Sequence, residues 1–576
     1  MNQQSLQEQQ PDTQAKGQFQ PPQQQHTFWR RSRSASRKIR ISTGPGLFLI
    51  LCLLALSIGI VLDRAITSAS TVIQSSSIAI APHLSSSPAA ITVDFSSRQN
   101  HTHPLGNNPL GVNGFSKIKN TPQLLNYLST SHTKIVRISV DMPGTFPTAA
   151  SVNPQQQNWA VLDASMTVVQ AQGLQPILTI EFAPSWLQPQ TNACPGLDPS
   201  HVYPTSTSEW GILAAQVVAH MDTKFPGVHP YYEIWNEPDG ITFLCVPASN
   251  PNPDQTRITE YKAIYAAAAP RMKQQAQNDH MLIRVGGPAL AVPRLHASIW
   301  LPALVNDLTV APYIDFISYH NYFRIKQTDT WGNMLSLMQD PAAGVAALYE
   351  NVSSIVHKGK QPNAQLTPIL IDEYDTTTSS IDCCRNDKTF APLWNALFIT
   401  DLLNSVNDTS SPYGPAPAFP NGLAYFTVTP QSPSTSHFCL FGTWNSAMDC
   451  AQNGSIQPYP QYYTYRLLSD SNFCDMTNGG YITNAAVGKP AGLVATGFYT
   501  STKDNVLIVN TSSTAYAQLT LALQNPGLAN PTASVYTLNS SHPQIGTSSV
   551  TLSAVSGGYT VTISVPPYST VALSLT

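Results

Sequence analysis

Short apolar segments alternate with amphipathic segments over residues 105–472. Eight of the apolar segments have the length and composition of buried strands. They are GVNGF at 111, KIVRISVD at 134, LQPILTIEF at 174, YYEIWNEP at 231, IRVGGPAL at 283, YIDFISYHNY at 313, TPILIDEYD at 367 and GLAYFTV at 422. Between them, apolar residues recur at helical spacing, as in SEWGILAAQVVAHM at 208, and PQYYTYRLLSD at 460 supplies the last helix. This alternation predicts an α/β fold, a (β/α)8 TIM barrel with its active site at the C-terminal ends of the strands.

The helical period disappears beyond about residue 480. Segments such as NVLIVNTS, SVTLSAV and YTVTISV alternate between apolar and polar residues and are separated by turn residues. This pattern predicts a C-terminal β-sandwich over residues 480–576. A further strand within residues 89–98, AAITVDF, precedes the barrel, and we expect it to join the same sandwich.

The N-terminal region carries the pattern of a membrane anchor. Residues 1–45 are rich in Gln and Pro and end in a basic cluster, which predicts a disordered cytoplasmic tail. Residues 46–64 contain an apolar run and predict a single transmembrane helix that leaves the catalytic domain extracellular, and residues 65–88 read as a linker. The alternative is a signal peptide that is cleaved to release a secreted enzyme. The long tail and the absence of a small-x-small cleavage site after the run favour the anchor.

Composition and cysteine content agree with export. Charged residues make up 11% of the chain and the net charge is −3, so no basic field is available to bind nucleic acid. Seven cysteines lie outside the apolar run, and their spacing fits disulfides better than zinc. We expect a Cys194–Cys245 bridge, because these residues follow the adjacent third and fourth strands. Cys439 with Cys450 is a second candidate pair, whereas the partners of Cys383, Cys384 and Cys474 stay open.

Two glutamates end strands on the predicted active-site face. Glu237 ends the fourth strand in EIWNEPDG, and Glu373 ends the seventh in ILIDEYDTT. Retaining hydrolysis of a glycosidic bond needs such a pair, one carboxylic acid to protonate the leaving oxygen and one carboxylate to attack the anomeric carbon. A Glu-Pro pair can also merely end a strand. Asp372 and Asp375 are alternatives to Glu373, although alternation along a strand predicts that Asp372 points to the opposite side.

The motif WNEP after strand four, with a second Glu ending strand seven, resembles clan A of the glycoside hydrolases. Within the clan, EIWNEP, VGGPA after strand five and DFISYHNY at strand six are most similar to family 39, the β-xylosidase and α-iduronidase family. The resemblance implies that Glu237 is the acid/base and Glu373 the nucleophile. It also implies that Asn236 hydrogen-bonds the 2-hydroxyl of the sugar, and that Arg137 keeps the nucleophile ionised.

Four further side chains complete the expected substrate site. His320 and Tyr322, which end strand six, match family positions that line the site and orient the nucleophile. Trp186 and Trp444 are candidates to stack on sugar rings, although aromatic residues in loops can equally serve packing. Likewise, Arg137 could be a structural ion-pair partner and His320 a satisfied barrel histidine.

Some positions depart from the family pattern. Tyr374 and Asp375 follow the second Glu, where family 39 leads us to expect Trp and Asn, and strand eight lacks the terminal Trp of the clan. Trp444, in the following loop, is the candidate to take its place. These departures bear on substrate identity more than on mechanism.

The resulting prediction is a retaining glycosidase that acts on extracellular oligo- or polysaccharide with no cofactor and no metal. An endo-acting glycanase is an alternative, because the long loops at 188–209 and 239–257 could form either a closed pocket or an open groove. An inactive carbohydrate-binding protein would lack one carboxylate, and both are present. A metal-dependent hydrolase would need several ligands at strand ends, where His320 is the one histidine among the strand ends that the pattern predicts.

Overall fold

The computed structural model describes the chain from residue 90 onward, with short gaps. The described residues are 90–99, 104–105, 109–113, 122–190, 194–247, 249–323, 329–358, 366–375, 390–426, 441–442, 457–458, 460–476, 479–487, 490–541 and 544–576. The predicted tail, membrane segment and linker lie outside these residues, so the anchor remains a prediction. Within the described part of the chain, we find no helix whose length and apolar character would suffice to cross a bilayer.

Eight parallel strands close into a barrel, which confirms the central fold prediction. The first strand of the chain, β1 (Ala90–Asp94), belongs to a separate sheet. In order around the barrel lie β2 (Leu110–Asn113), β3 (Ile135–Asp141), β4 (Gln175–Glu181), β5 (Tyr231–Ile234), β6 (Arg284–Leu290), β7 (Phe316–Tyr322), β8 (Ile369–Asp375) and β9 (Gly422–Phe426). Parallel pairing of β2 with β9 closes the ring. All seven residues of β8 are buried, as expected for a strand covered on both faces.

Helices follow the barrel strands as predicted, with some additional short helices. The α-helices are α1 (Pro122–Thr130), α2 (Met142–Thr145), α3 (Ala160–Gln172), α4 (Thr207–Lys224), α5 (Pro253–Asn278), α6 (Pro293–Val305), α7 (Trp331–Met338), α8 (Val345–Val356), α9 (Phe390–Ser405) and α10 (Pro460–Ser469). Short 3-10 helices span Phe95–Gln99, Ala149–Val152, Pro154–Gln156, Ser185–Leu187 and Ala311–Tyr313. Local signals fix some ends. Ser206 accepts a hydrogen bond from the Glu209 amide at the start of α4, and Gly173 ends α3 with a φ of 59°.

The C-terminal region is rich in β-structure. Its strands are β12 (Tyr481–Val487), β13 (Leu493–Tyr499), β14 (Asp504–Asn510), β15 (Tyr516–Gln524), β16 (Ala533–Leu538), β17 (Gly546–Val550), β18 (Ser553–Val555), β19 (Gly558–Val565) and β20 (Ser569–Leu575). With β1 they form a ten-stranded sheet in the order β17-β16-β20-β14-β13-β12-β1-β15-β19-β18. Both halves of this sheet contribute to one apolar cluster. A two-stranded ribbon, β10 (Phe441–Gly442) with β11 (Gln457–Pro458), stands apart.

Strand β1 joins the chain ahead of the barrel to this sheet. It pairs in antiparallel fashion with β12 and in parallel fashion with β15. Apolar residues of the sheet also pack into the main cluster of the barrel, among them Phe498, Leu507 and Tyr536. In addition, the Asn404 side chain of α9 donates a hydrogen bond to the carbonyl of Ala495 in β13. The sheet and the barrel therefore share an apolar interface.

Candidate active site

The segment after β5 places Glu237 at the mouth of the barrel. Trp235 and Glu237 both have positive φ angles, 67° and 47°, a conformation that non-glycine residues adopt rarely and that is concentrated at functional sites. The indole of Trp235 donates a hydrogen bond to the Phe243 carbonyl, and the Glu237 amide donates one to the Ala289 carbonyl. This turn ends β5 and holds the Glu237 backbone in place, with its side chain 16% exposed.

Asp239 anchors the same loop to the start of α6. Its carboxylate accepts hydrogen bonds from the amides of Ala291 and Val292 at 2.7 and 3.0 Å. His296 Nδ1 lies 2.8 Å from the same carboxylate, and this bond raises the pKa of His296. Asp239 is buried and two residues from Glu237, so it ties the loop that carries Glu237 to the neighbouring βα unit.

Glu373, at the end of β8, receives donors on both of its oxygens. Asn113 and Arg137 donate to Oε1 at 3.0 and 2.6 Å. The Tyr322 hydroxyl donates to Oε2 at 2.7 Å, and His320 Nδ1 lies 3.3 Å from that oxygen. Hydrogen-bond donors therefore hold both oxygens of the Glu373 side chain. The side chain keeps 9% of its surface exposed, which leaves it open to the barrel mouth.

His320 links the two glutamates. Its Nδ1 is 2.7 Å from Glu237 Oε1 and 3.3 Å from Glu373 Oε2. Burial alone would lower the pKa of His320, but the charges of Glu373 and Asp372 hold it well above its ordinary value. One oxygen from each glutamate and one nitrogen of His320 all lie within 4.8 Å of one another. The two carboxyl groups therefore face a common space.

The environment of Glu237 favours its protonated form. Burial raises the pKa of Glu237, and the charges of Glu373 and Asp239 raise it further, whereas the hydrogen bond and charge of His320 act in the opposite direction. When one carboxyl group stays protonated beside an ionised one, the first can serve as a proton donor and the second as a nucleophile. The two glutamates therefore differ in the chemistry that they can perform.

Arg137 lies beneath the glutamate pair and is 5% exposed. It contacts Glu233 at 2.6 Å, Asp372 at 2.9 Å and Glu373 at 2.6 Å, and its Nη2 donates to Asn236 Oδ1 at 2.8 Å. Burial raises the pKa of Glu233 to about 7, against the pull of Arg137. Burial would also raise the pKa of Asp372, but Arg137 and His320 hold it below its ordinary value. The Arg137 guanidinium thus holds three carboxylates and the Asn236 amide together beneath the site.

Asp372 does not point away from the barrel interior, so the expectation from simple strand alternation is wrong. Its Oδ2 contacts Arg137 Nε and lies 3.7 Å from His320 Nε2. The pairing register shifts along β8, where Tyr319 of β7 pairs with Ile371 and His320 pairs with Glu373. Such a bulge inserts one residue and lets Asp372 and Glu373 both face inward. Asp372 is fully buried, unlike Glu373, and is sealed beneath it.

Six of the predicted site residues meet at this point. They are Glu237, Glu373, Asn236, Arg137, His320 and Tyr322. Trp186 contacts none of them through a described hydrogen bond or ring contact. Its indole instead donates to the Phe146 carbonyl at 3.0 Å, and the ring packs against the barrel core. Trp444 and the candidate pair Cys439–Cys450 lie outside the described residues.

The two residues after Glu373 are buried and make contacts inside the protein. Tyr374 is fully buried and stacks on Phe398 of α9 with 4.4 Å between ring centroids. Asp375 is also buried and accepts a hydrogen bond from the Tyr425 hydroxyl at 3.2 Å. Neither side chain makes a described contact with the glutamate pair.

A disulfide joins Cys194 to Cys245, as predicted, with 6.3 Å between the Cα atoms. It connects the segments that follow β4 and β5, and the Cys245 amide donates to the carbonyl of His201. His201 in turn lies against Phe182 and Phe243. The bridge therefore fixes an aromatic rim beside the strand end that carries Glu237. Cys474 is buried and has no disulfide partner among the residues that the structure describes.

The same three groups, Glu237, His320 and Glu373, could also offer ligand atoms to a cation. Two features of the site disfavour that use. Arg137 already places a positive charge against Glu373 Oε1. The raised pKa of His320 favours its protonated form, which has no lone pair for a metal. The arrangement therefore suits proton transfer better than metal binding.

Residues 131–415 match the family model "Glycosyl hydrolases family 39". A comparison with curated proteins found no match. Similar solved structures include the family 39 enzyme from Xanthomonas axonopodis pv. citri, at 18% identity over 85% of this chain and 97% of that one, with a TM-score of 0.57. A glucosidase from Croceicoccus marinus has 14% identity, coverage of 85% and 99%, and a TM-score of 0.55. A family 39 β-xylosidase from Caulobacter crescentus has 15% identity, coverage of 84% and 99%, and a TM-score of 0.53. These likenesses establish a shared fold.

Proposed function

Residues 131–415 form a domain of glycosyl hydrolases family 39 and make this protein a glycosidase, and from that premise we propose that it cleaves O-glycosidic bonds of extracellular saccharides with retention of configuration. One observation carries the proposal. An oxygen of Glu237 and an oxygen of Glu373 lie within 4.8 Å of each other. Retaining enzymes hold their carboxyl groups about 5–5.5 Å apart, whereas inverting enzymes leave about 6.5–9.5 Å for a water molecule.

The reaction has two steps. In the first, Glu373 attacks the anomeric carbon while Glu237 gives its proton to the leaving oxygen, so that a covalent glycosyl-enzyme forms and the leaving group departs as an alcohol. In the second, Glu237 removes a proton from water, and the water oxygen displaces Glu373. The raised pKa of Glu237 supports its role as the acid, and the donors around Glu373 support its role as the nucleophile.

Asn236 and Tyr322 take supporting roles in this proposal. Arg137 donates to Asn236 Oδ1, which orients the amide so that its nitrogen remains available for a sugar hydroxyl. This supports the role of Asn236 as the donor to the 2-hydroxyl. Tyr322 and Arg137 hold opposite oxygens of Glu373, so they fix the carboxylate in a single orientation for attack.

A panel of nitrophenyl glycosides tests the proposal, with 4-nitrophenyl β-xyloside first because one similar structure is a β-xylosidase. We expect turnover of at least one member, and proton NMR should show that the first-formed sugar keeps the anomeric configuration of the substrate. Polymeric xylan, glucan and mannan in parallel separate exo action from the endo-acting alternative. A first product of inverted configuration would contradict retention, and binding without any turnover would favour an inactive carbohydrate-binding protein.

We also propose that the enzyme is held at the cell membrane by residues 46–64, with the barrel outside. The basic cluster before this segment supports a cytoplasmic N-terminus, and the Cys194–Cys245 bridge fits an oxidising compartment. Protease added to intact cells should release soluble glycosidase activity. A mature protein that begins after residue 62 and accumulates freely in the medium would instead identify a cleaved signal peptide.

A further inference from the structure

A third carboxyl group, Glu181, faces the active site from the end of β4. Thr179, two residues earlier on the same strand, donates to Glu233 inside the barrel at 2.9 Å. Because residues two apart on a strand share a face, Glu181 also points inward, one layer nearer the mouth. Ser139 of β3 lies two residues beyond Arg137 and donates a hydrogen bond to Glu181 Oε1. Both strands therefore direct these side chains into the space above Arg137.

The second oxygen of Glu181 remains available. Among the described residues, Oε2 accepts no hydrogen bond, and the side chain is partly exposed to solvent. Glu233 and Asp372, by contrast, are fully buried beneath the site. Glu181 thus combines an inward direction, a free oxygen and access from the mouth of the barrel.

The partner of Glu181, Ser139, lies on the same strand as Arg137, which contacts the nucleophile at 2.6 Å. Burial raises the pKa of Glu181 to about 7, Arg137 lowers it, and the charges of Glu373 and Glu233 raise it further. The nucleophile lies against the anomeric carbon of the glycone, whereas the acid/base lies on the leaving-group side. Held by Ser139 beside the strand whose Arg137 contacts Glu373, Glu181 borders the space where the glycone binds.

A purely structural role would account for only part of this arrangement. Arg137 already contacts three carboxylates, so it does not need Glu181 as a partner. Ser139 needs only one acceptor and engages only one oxygen. A partly buried carboxyl group that lacks its own counter-ion and keeps one acceptor free is costly unless a ligand uses it.

We propose that Glu181 is a specificity-determining residue of the glycone site, where its free Oε2 accepts a hydrogen bond from a hydroxyl of the sugar bound over Glu373. This inference rests on the proposed glycosidase function. It assigns the enzyme a glycone with a hydroxyl at the position that Glu181 reaches. In its ionised form Glu181 also disfavours an anionic carboxylate there, because two like charges in a water-poor site repel each other.

The test compares a parent nitrophenyl glycoside, chosen as the member of the panel that wild-type enzyme hydrolyses fastest, with its monodeoxy analogues. A hydrogen bond to a charged group is worth roughly 10- to 150-fold in kcat/KM. We expect wild-type enzyme to prefer the parent by about that factor over each analogue that lacks a bound hydroxyl. In Glu181→Ala the preference for the parent should fall to about threefold or less for one analogue only. That analogue is the one that lacks the hydroxyl bound by Glu181, because the variant no longer makes this contact.

Ser139→Ala provides the matched control, since it removes the partner of Oε1 and leaves the carboxyl group. It should retain the wild-type preference for every analogue. An unchanged set of preferences in Glu181→Ala, or an equal loss against all analogues, would overturn the role of Glu181 while leaving the glycosidase function intact. Failure of wild-type enzyme to hydrolyse any parent glycoside would instead refute the proposed function, and this inference with it.

Discussion

Replacing Glu373 by Gln or Ala is expected to abolish turnover of every glycoside substrate, with a loss of about 10⁴-fold or more in kcat, the scale seen when covalent enzymes lose their nucleophile. The reason lies in access. Asp372 precedes Glu373 in the chain and also faces inward, but it is fully buried and held between Arg137 and His320. It cannot reach an anomeric carbon at the barrel mouth, so it cannot form the glycosyl-enzyme in place of Glu373.

Steady-state kinetics on a dinitrophenyl glycoside measure this loss, because that leaving group makes formation of the glycosyl-enzyme easy. Glu350→Gln is a matched control. Glu350 is a buried glutamate on α8, and it makes no described contact with the site residues. The control should retain wild-type kcat and kcat/KM. Substantial residual turnover in Glu373→Ala, with the fold shown intact by circular dichroism, would require another nucleophile and contradict the assignment.

The barrel could be predicted because its periodicity is repeated eight times, but the limits of single strands could not. The segment YYEIWNEP reads as one strand, whereas β5 ends at Ile234. Trp235 and Glu237 have positive φ angles instead of the extended conformation of a strand. The Trp235 indole donates a hydrogen bond to the Phe243 carbonyl and the Glu237 amide donates one to the Ala289 carbonyl, and these bonds hold the turn in place. Tertiary contacts of this kind leave no local pattern in the sequence.

The structure brings six of the predicted site residues together, but the sequence analysis missed other polar residues, both inside strands and at strand ends. Glu237 and Glu373 were found from their position on the active-site face, and Arg137 from the resemblance to clan A. Glu233 was missed, although an inward-facing glutamate within a buried strand signals a partner of opposite charge, and Arg137 was available. Asp372 was misplaced because a bulge in β8 breaks the alternation from which its direction was inferred.

Two other missed residues had recognisable signals. Asn113 is the last residue of β2, so it lies at the same end of the barrel as Glu373 and donates to it. Glu181 ends β4 in the same way. Each is a polar residue at the C-terminal end of a barrel strand, the position where functional side chains of this fold gather. Glu237 and Glu373 were predicted because they match a known motif, whereas Asn113 and Glu181 match none.

Replacing Glu237 by Ala is expected to have an effect that depends on the leaving group, because Glu237 acts differently in each step. For a substrate with a poor leaving group, loss of general acid catalysis should lower kcat/KM by about 10²–10⁴-fold. For a dinitrophenyl glycoside, little protonation is needed, so kcat/KM should stay near the wild-type value. The enzyme should then be glycosylated and stall, and kcat should fall because no base activates water.

The pH dependence should change in the same variant. Glu237 must be protonated to act as the acid, and its pKa is raised by burial and by Glu373. In the wild-type enzyme, activity should therefore fall as pH rises through this raised pKa, which gives the alkaline side of a bell-shaped profile. Glu237→Ala should lose that alkaline limb, while Glu350→Gln should retain it. An alkaline limb that persists in Glu237→Ala would assign the proton donor to another group.

Azide separates the two glutamates most sharply, because it attacks without the help of a base. In Glu237→Ala, azide should displace Glu373 from the glycosyl-enzyme and restore turnover, and two successive displacements on a β-glycoside yield a β-glycosyl azide. In Glu373→Ala, any azide product must arise by one displacement and have the α configuration. Proton NMR of the two products distinguishes these outcomes. An α-glycosyl azide from Glu237→Ala would mean that no covalent intermediate forms on Glu373, and the roles given to both residues would be wrong.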